Sequence, residues 1–167
     1  AELPVAFVLA QHLGEGFVSL FADQLDKVSS FRVKKGVDGD TLHHGEVIVV
    51  PVEQQLQIDK NGKIKLLDKK WPGLYRPSID CIIESVTRTF KKKSAVIIFS
   101  GMGSDGVIAC QEFFNQYDGT IWVQSKDSCV ISSMPDSIRD AGLVSYSATP
   151  ELLAEKLAEK YAIADRK

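Results

Sequence analysis

The sequence contains little of what marks secreted, metal-binding or membrane-inserted proteins. Its 167 residues include three cysteines, Cys81, Cys110 and Cys129, and this odd number contains no C-x-x-C pair. Such a set predicts neither a disulfide framework nor a zinc site and is typical of the reducing cytoplasm. The apolar segment from Leu3 to Ala10 is too short to cross a bilayer and lacks the basic flank of a signal peptide. We therefore expect a cytoplasmic protein with no membrane insertion.

A large excess of positive charge is absent as well. The formal net charge is -2 at pH 7, and the longest block of lysines runs from Lys91 to Lys93. Nucleic acids and anionic membranes usually bind proteins with a basic excess, so neither is expected to be the main partner. The expected partner is a protein or a small molecule.

Apolar runs of strand length alternate with stretches of helical periodicity along the chain. Hydrophobic residues make up 44% of the 167 residues, which is enough for one well-packed domain but not for two. This alternation predicts a doubly wound α/β domain over residues 1–167, with a mostly parallel sheet flanked by helices. Asn61-Gly62, between two alternating segments, adds one antiparallel hairpin at about 55–67. The predicted parallel strands include Val5 to Ala10, Val47 to Val50, Ala95 to Phe99 and Thr120 to Val123.

The helical periodicity also predicts which side chains face the core. Ser78 is the expected N-cap of a helix that begins at about Ile79. In the helix from Gly16 to Val28, the predicted buried stripe consists of Phe17, Leu20, Phe21, Leu25 and Val28. In the helix after Gly106, it consists of Val107, Ile108, Cys110, Phe113 and Phe114.

Two of the predicted strands end in residues that carry chemistry. Gln11-His12 follows the first strand, and Asp105 lies in a glycine-rich turn after the strand at Ala95 to Phe99. If these strands run parallel, both residues emerge at the same edge of the sheet, where ligands bind in open α/β folds. Asp105 then has two open interpretations: it caps the helix that follows, or it orients a catalytic His12.

A third interpretation of the same turn is nucleotide binding. The pattern Gly101-x-Gly103-x-x-Gly106 fits a dinucleotide fingerprint, and Asp127 follows at the spacing of a ribose-binding acid. However, Asp105 places negative charge where a pyrophosphate would lie, and the motif comes late in the chain. His43-His44 is a separate pair, which we expect to be solvated loop residues because neighbouring side chains point apart.

Several motifs, in order, resemble the catalytic domain of the chemotaxis protein-glutamate methylesterase family (CheB). The similarity runs from about Val5 to about Val144, and the six motifs in register make it specific. The matching residues are Ala10-Gln11-His12 with Gly16-Phe17, Asp38-Gly39-Asp40, Arg76-Pro77-Ser78-Ile79-Asp80, Ser100-Gly101-Met102-Gly103-Ser104-Asp105-Gly106, Ser128-Cys129-Val130 and Met134-Pro135.

The resemblance implies a doubly wound fold and a Ser-His-Asp triad that hydrolyses γ-glutamyl methyl esters on chemoreceptors, with no cofactor and no metal. By motif, His12 is the histidine, Asp105 is the aspartate, and Met102 lies beside the oxyanion site. Many family members also deamidate receptor glutamines, and a receiver domain commonly precedes the catalytic one. Methyl-accepting chemoreceptors are therefore the expected partners.

The chain departs from the family pattern at the nucleophile. The family's Gly-Ala-Ser-x-Gly-Gly turn does not occur in the 167 residues, and Ser100 and Ser104 stand at motif positions that do not carry the nucleophile. We therefore expect this chain to lack the N-terminal strand and the serine, and to be inactive by itself. Drift at Gly14-Glu15 and Ser132-Ser133 suggests a divergent, non-flagellar branch. The alternative is a non-catalytic docking module of the same fold.

Overall fold

The computed structural model describes residues 3–162 and follows the predicted alternation of strands and helices. Within this part of the chain, no helix combines the length and the apolar character needed to cross a bilayer. The strands are β1 (Phe7–Leu9), β2 (Arg32–Lys35), β3 (Glu46–Val49), β4 (Gln55–Ile58), β5 (Ile64–Leu67), β6 (Ala95–Ile98), β7 (Thr120–Gln124) and β8 (Tyr146–Ala148). The α-helices are α1 (Phe17–Val28), α2 (Ile79–Phe90), α3 (Val107–Tyr117), α4 (Ser133–Asp140) and α5 (Pro150–Ala162).

The parallel strands form two three-stranded sheets, with the orders β1-β3-β2 and β6-β7-β8. Every strand pair in both sheets is parallel, as the unbroken apolar runs predict. β1 and β6 are edge strands of their respective sheets, and side chains rather than a ladder of hydrogen bonds connect them among the described residues. Phe7 of β1 and Ile97 of β6, for example, pack against one cluster built around Trp122.

The hairpin of β4 and β5 is antiparallel and lies where it was predicted. Its inward side chains Leu56, Ile58 and Ile64 share a core cluster with Ile82 of α2. Two hydrogen bonds fasten this strand pair to the same helix: Ile58 N–H donates to Ser85 Oγ at 2.7 Å, and Thr89 Oγ1 donates to the Ile58 carbonyl at 3.1 Å. The hairpin therefore covers one side of α2.

The predicted buried stripe of α1 is partly wrong. Phe17, Leu20 and Val28 are exposed, whereas Val18 and Ala22 are buried against Val33 of β2 and its neighbours. Phe21 and Leu25 fit both the predicted and the observed stripe, so helical spacing alone does not separate the two. The small Ala22 allows the helix backbone to approach the sheet closely, and this selects the observed face.

The predicted buried stripe of α3 is also partly wrong. Ala109, Cys110 and Phe113 form its buried face, while Ile108 and Phe114 are exposed. Phe113 is 1% exposed and packs so closely on Gly119 that a Cβ there would lie 2.3 Å from its ring, whereas Phe114 is 40% exposed. Two adjacent phenylalanines therefore have very different environments.

This difference can be measured by unfolding. We expect Phe113→Ala to lower the free energy of unfolding by about 3–5 kcal/mol, because it opens a cavity in the core. Phe114→Ala is the matched control and should change the value by about 0.5 kcal/mol or less. Urea titration of the two variants checks this, and equal losses would contradict the observed orientation of α3.

Candidate active site

The carboxylate of Asp105 is the centre of a hydrogen-bond network at the end of β6. Its side chain is 3% exposed. Oδ2 accepts hydrogen bonds from His12 Nε2 at 2.9 Å and from the Ile79 N–H at 2.7 Å, and Oδ1 accepts from the Asp80 N–H at 3.1 Å. Thus residues 93 positions apart in sequence meet, as expected if the loops after β1 and β6 share one edge.

Asp105 does cap a helix, but it is not the helix predicted from its position in sequence. It accepts from the first two N–H groups of α2, where the helix dipole favours a negative charge. In return, Asp80 Oδ1 accepts from the Ala109 N–H in the first turn of α3, at 2.8 Å. Asp105, which lies just before α3, therefore caps α2, and Asp80, in the first turn of α2, caps α3. The capping contact and the contact with His12 coexist, because Asp105 accepts both at once, and the catalytic role of His12 stays a prediction.

This network determines the charge of Asp105. Burial by itself raises the pKa of the carboxyl, but the hydrogen bonds from His12, Ile79 and Asp80 together hold the pKa below its usual value. Asp105 is thus a fixed, ionised acceptor. Because a carboxylate has no proton to donate, the Nε2–H of His12 must be the donor in their shared hydrogen bond.

His12 has one ring nitrogen left for other chemistry. Its side chain is 26% exposed, Nε2 is held by Asp105, and Nδ1 is the second nitrogen. A neutral imidazole that donates through Nε2 carries its lone pair on Nδ1, which is the arrangement of a general base oriented by an acid. Within residues 3–162, Asp105 supplies the hydrogen bond that His12 makes.

Tyr75 is a further member of the site that sequence reasoning missed. Its ring stacks on the His12 imidazole, with the ring centroids 5.0 Å apart and the planes 11° apart. The loop before α2 carries Tyr75, directly ahead of the Arg76-Pro77-Ser78 motif. No periodicity or turn pattern identifies an aromatic residue as the partner of a histidine 63 positions earlier, so the sequence offered no signal.

Packing explains the glycine-rich pattern of the turn. A Cβ on Gly103 would lie 2.7 Å from Tyr75 Oη, and one on Gly101 would lie 2.5 Å from Met134 Sδ. Gly106 has a φ of +102° and would meet Ile79 at 2.9 Å. Gly103 and Gly106 are thus favoured by their positive φ as well as by crowding, and Gly101 by crowding from Met134, so no phosphate is needed to account for the pattern.

The turn is held on its other side by Ile131 and by the first residue of α4. The Gly101 N–H donates to the Ile131 carbonyl at 2.9 Å, and the Gly103 N–H donates to Ser133 Oγ at 3.1 Å. Met102 stands between them with its side chain 70% exposed. Among the described residues its own N–H donates no hydrogen bond, and neither do those of Ser104, Asp105 and Gly106; Met102 differs in standing between two engaged donors.

The serines of the turn are not placed as partners of His12. Ser100 Oγ donates to the Ile131 carbonyl at 3.0 Å and accepts from the Ile131 N–H at 3.1 Å. Ser104 is exposed, and among residues 3–162 its hydroxyl makes no hydrogen bond with His12. His43 and His44 are exposed in the loop before β3, as predicted, and do not belong to the site.

The comparisons with known proteins agree on one family. The family model described as CheB methylesterase matches residues 1–157. The chain is 38% identical over 144 residues to protein-glutamate methylesterase/protein-glutamine glutaminase 1 of Saccharophagus degradans, covering 86% of this chain and 39% of the relative. It is 32% identical over 159 residues to the Pseudomonas putida enzyme of the group 1 operon, covering 95% of this chain and 43% of the relative. The chain thus spans about two-fifths of the length of these curated relatives.

A solved structure shows the same fold. The crystal structure of the Thermotoga maritima CheB methylesterase catalytic domain matches with a TM-score of 0.88 and 30% sequence identity. The match covers 95% of this chain and 85% of that one. Both the fold class and the family resemblance predicted from the sequence are confirmed.

The lowered pKa of Asp105 predicts a pH dependence of stability. A carboxyl whose pKa is lower in the folded than in the unfolded state stabilises the fold above its unfolded pKa. Stability should therefore fall as the pH drops below the ordinary value of 3.8, and Asp105→Asn should lose this component. Denaturant titrations over this pH range test it. Met102→Leu, which keeps every carboxylate, should behave as the unmodified chain, and an unchanged pH slope in Asp105→Asn would contradict the prediction.

The stacking of Tyr75 on His12 predicts a spectroscopic signature. In Tyr75→Ala the ring current of the tyrosine is lost, so the His12 carbon-bound ring protons should shift downfield in a proton–carbon correlation spectrum. Tyr75→Phe keeps the stacked ring, which contributes about 0.5–1.5 kcal/mol beyond burial, and should retain the original shifts. Identical shifts in all three proteins would show that the rings are not stacked in solution.

Proposed function

Because the chain belongs to the CheB methylesterase family, we propose that it carries the histidine and aspartate of a Ser-His-Asp triad that hydrolyses γ-glutamyl methyl esters. The supporting observation is the 2.9 Å hydrogen bond between His12 and the buried, ionised Asp105. A carboxylate of this kind fixes the tautomer of an imidazole and stabilises the imidazolium that forms when it accepts a proton. Nδ1 of His12, the ring nitrogen not bonded to Asp105, is then the general base.

In the proposed reaction His12 acts as a base and then as an acid, first in acylation and again in deacylation. Nδ1 removes the proton of the serine hydroxyl as its oxygen attacks the ester carbonyl, and a tetrahedral oxyanion forms. The imidazolium returns the proton to the methoxy oxygen, methanol leaves, and a glutamyl-enzyme ester remains. Water, deprotonated by the same nitrogen, hydrolyses that ester and restores the serine and a free glutamate.

The free N–H of Met102 is the proposed donor to the oxyanion. Its two neighbours in the turn already donate to Ile131 and Ser133, which hold the turn rigidly. A donor that is positioned before the reaction stabilises developing charge without reorganisation, and removal of one such donor typically costs about 10²–10³ in kcat.

We propose that the nucleophilic serine lies outside these 167 residues. The family's Gly-Ala-Ser-x-Gly-Gly turn is absent from the sequence, and the Ser100 hydroxyl is engaged by Ile131. Without the nucleophile, a triad loses on the order of a millionfold in rate. The strand that carries the serine in the family would then also come from outside the chain.

The proposed substrates and partners are the methylated glutamates of methyl-accepting chemoreceptors, acted on in the cytoplasm. The relatives are named protein-glutamate methylesterase/protein-glutamine glutaminase, which supports deamidation of receptor glutamines as a second activity of the same site. Both reactions pass through the same acyl intermediate, with methanol or ammonia as the leaving group. A receiver domain upstream would supply regulation.

A non-catalytic docking module of the same fold is the second candidate, because no serine among the described residues hydrogen-bonds to His12.

The contacts at the start of α3 argue against nucleotide binding. The Val107 N–H is bonded to the Ser104 carbonyl at 3.3 Å and the Ala109 N–H to Asp80, so α3 offers few free donors to a phosphate. Asp105 and Asp80 also place two carboxylates at that helix end.

Methanol release from methylated receptor tests the proposed function. We expect the product of the complete reading frame to be active and the 167-residue chain to be nearly inert. In the complete product, His12→Ala should lower kcat by roughly 10⁴–10⁶ and Asp105→Asn by about 10⁴, because both disable the base. His43→Ala, an exposed loop histidine, is the matched control and should retain full activity.

Other outcomes would favour the second candidate. If the complete product binds methylated receptor but releases no methanol, the docking module is the better account. Equal loss in His12→Ala and His43→Ala would also remove the basis for assigning His12 as the base.

A further inference from the structure

The charges of the chain are strongly segregated along the sequence. Residues 60–93 contain ten of the 20 Lys and Arg residues but three of the 22 Asp and Glu residues. This segment therefore carries a net charge of +7, while the remainder carries −9. The net charge of -2 conceals this separation.

Most of the positive charge is not held in ion pairs. The eight lysines of the segment, which we call the basic strip, are exposed and form no ion pair within residues 3–162. Of the three carboxylates in the segment, Asp80 accepts from the Ala109 N–H and Glu84 pairs with Arg88, which leaves Asp68. Two carboxylates from outside the segment also lie against the hairpin: Asp59 accepts from the Lys63 N–H at 3.1 Å and Asp38 from the Leu66 N–H at 2.8 Å, so the strip keeps an excess of lysines but is not free of acids. The basic strip consists of Lys60, Lys63, Lys65, Lys69, Lys70, Lys91, Lys92 and Lys93.

The fold brings the two halves of the basic strip together. β4 lies along α2 through the hydrogen bonds of Ile58 with Ser85 and Thr89. At the tip of the hairpin, a Cβ on Gly62 would lie 3.5 Å from the ring of Phe90, the last residue of α2. Lys91 to Lys93 follow Phe90 directly, so they leave α2 at the same end of the hairpin as Lys60 and Lys63.

The basic strip leads from that tip towards the candidate active site. Lys65 lies on β5, opposite Gln57, and Lys69 and Lys70 follow the strand. The next residues form the loop to Tyr75, which stacks on His12. α2 begins at Ile79, whose N–H donates to Asp105, and ends at Phe90 near the tip. Its 12 residues span about 18 Å at 1.5 Å per residue. The basic strip therefore extends from the hairpin tip, through β5, towards the loop that carries Tyr75.

We propose that the basic strip is a docking surface for an acidic, elongated polypeptide segment of a partner protein. Under the proposed function, on which this identification of the partner rests, the segment is the acidic stretch of the substrate that carries the esterified glutamate. Docking along the strip positions such a segment with one end at His12. Exposed lysines give weak, salt-sensitive attraction, which suits an enzyme that must release one site and engage another.

The surroundings of the basic strip favour a polypeptide over other anionic partners. Residues 57–70 and 84–93 expose no large apolar side chain for insertion into a lipid surface and no aromatic ring for stacking on bases. The negative charge of the remaining surface also opposes approach to a uniformly anionic membrane or duplex. The exposed apolar residues Leu74 and Tyr75 lie at the end of the strip next to His12, where a peptide side chain would contact them.

Fluorescence anisotropy of labelled poly-L-glutamate, titrated with the 167-residue chain at low salt, tests the proposal. We expect saturable binding that is lost at about 1 M salt, where the screening length falls to about 3 Å. The combined change Lys91→Gln, Lys92→Gln and Lys93→Gln should weaken binding about tenfold, since each exposed pair contributes a small factor. Lys27→Gln, Lys126→Gln and Lys156→Gln together are the matched control and should have little effect.

Two further binding measurements separate docking from catalysis and a polypeptide partner from a membrane. His12→Ala should bind poly-L-glutamate as tightly as the unmodified chain, so docking is measured independently of whether the site hydrolyses esters. Absence of binding, or equal weakening by the two triple variants, would overturn the proposal. Tighter binding to vesicles containing phosphatidylglycerol than to poly-L-glutamate would also overturn it and identify the strip as a membrane-facing surface.

Discussion

The burial of one charge, that of Asp105, is the constraint on which the rest of the site depends. A carboxylate removed from water must be compensated by hydrogen bonds, or it either becomes protonated or destabilises the fold. Here three donors compensate it: His12 and the N–H groups of Ile79 and Asp80. These donors come from the loop after β1 and from the start of α2. A single buried charge thus determines how two parts of the chain approach each other.

The reciprocal capping of α2 and α3 extends this constraint into the scaffold. Asp105 cannot move away from His12 without releasing the N-terminus of α2, and α2 cannot move without withdrawing Asp80 from Ala109. Charges at helix N-termini are commonly discussed as local stabilising features. In this molecule they also couple the orientation of a histidine to the packing of two helices.

The glycine-rich turn shows how one sequence pattern can arise from different physical causes. Close backbone approach is required in a phosphate-binding turn, and it is equally required here, where Tyr75, Met134 and Ile79 occupy the space that a Cβ would need. The pattern therefore reports crowding at the turn and not the identity of the group that causes it. The position of Asp105 discriminates between the two cases, because its carboxylate faces donors that belong to the protein.

The sequence by itself determined most of the strands and helices, though not β8, together with the hairpin at Asn61-Gly62 and the expectation that His12 and Asp105 leave the sheet at one edge. These features follow from local apolar periodicity and turn chemistry, which short segments contain in full. Only the tertiary structure decided which face of α1 and α3 is buried, which helix Asp105 caps, and that Tyr75 stacks on His12. Those outcomes depend on how elements far apart in sequence pack, since Phe21 and Leu25 fit two helix faces equally well and only contact with the sheet selects one.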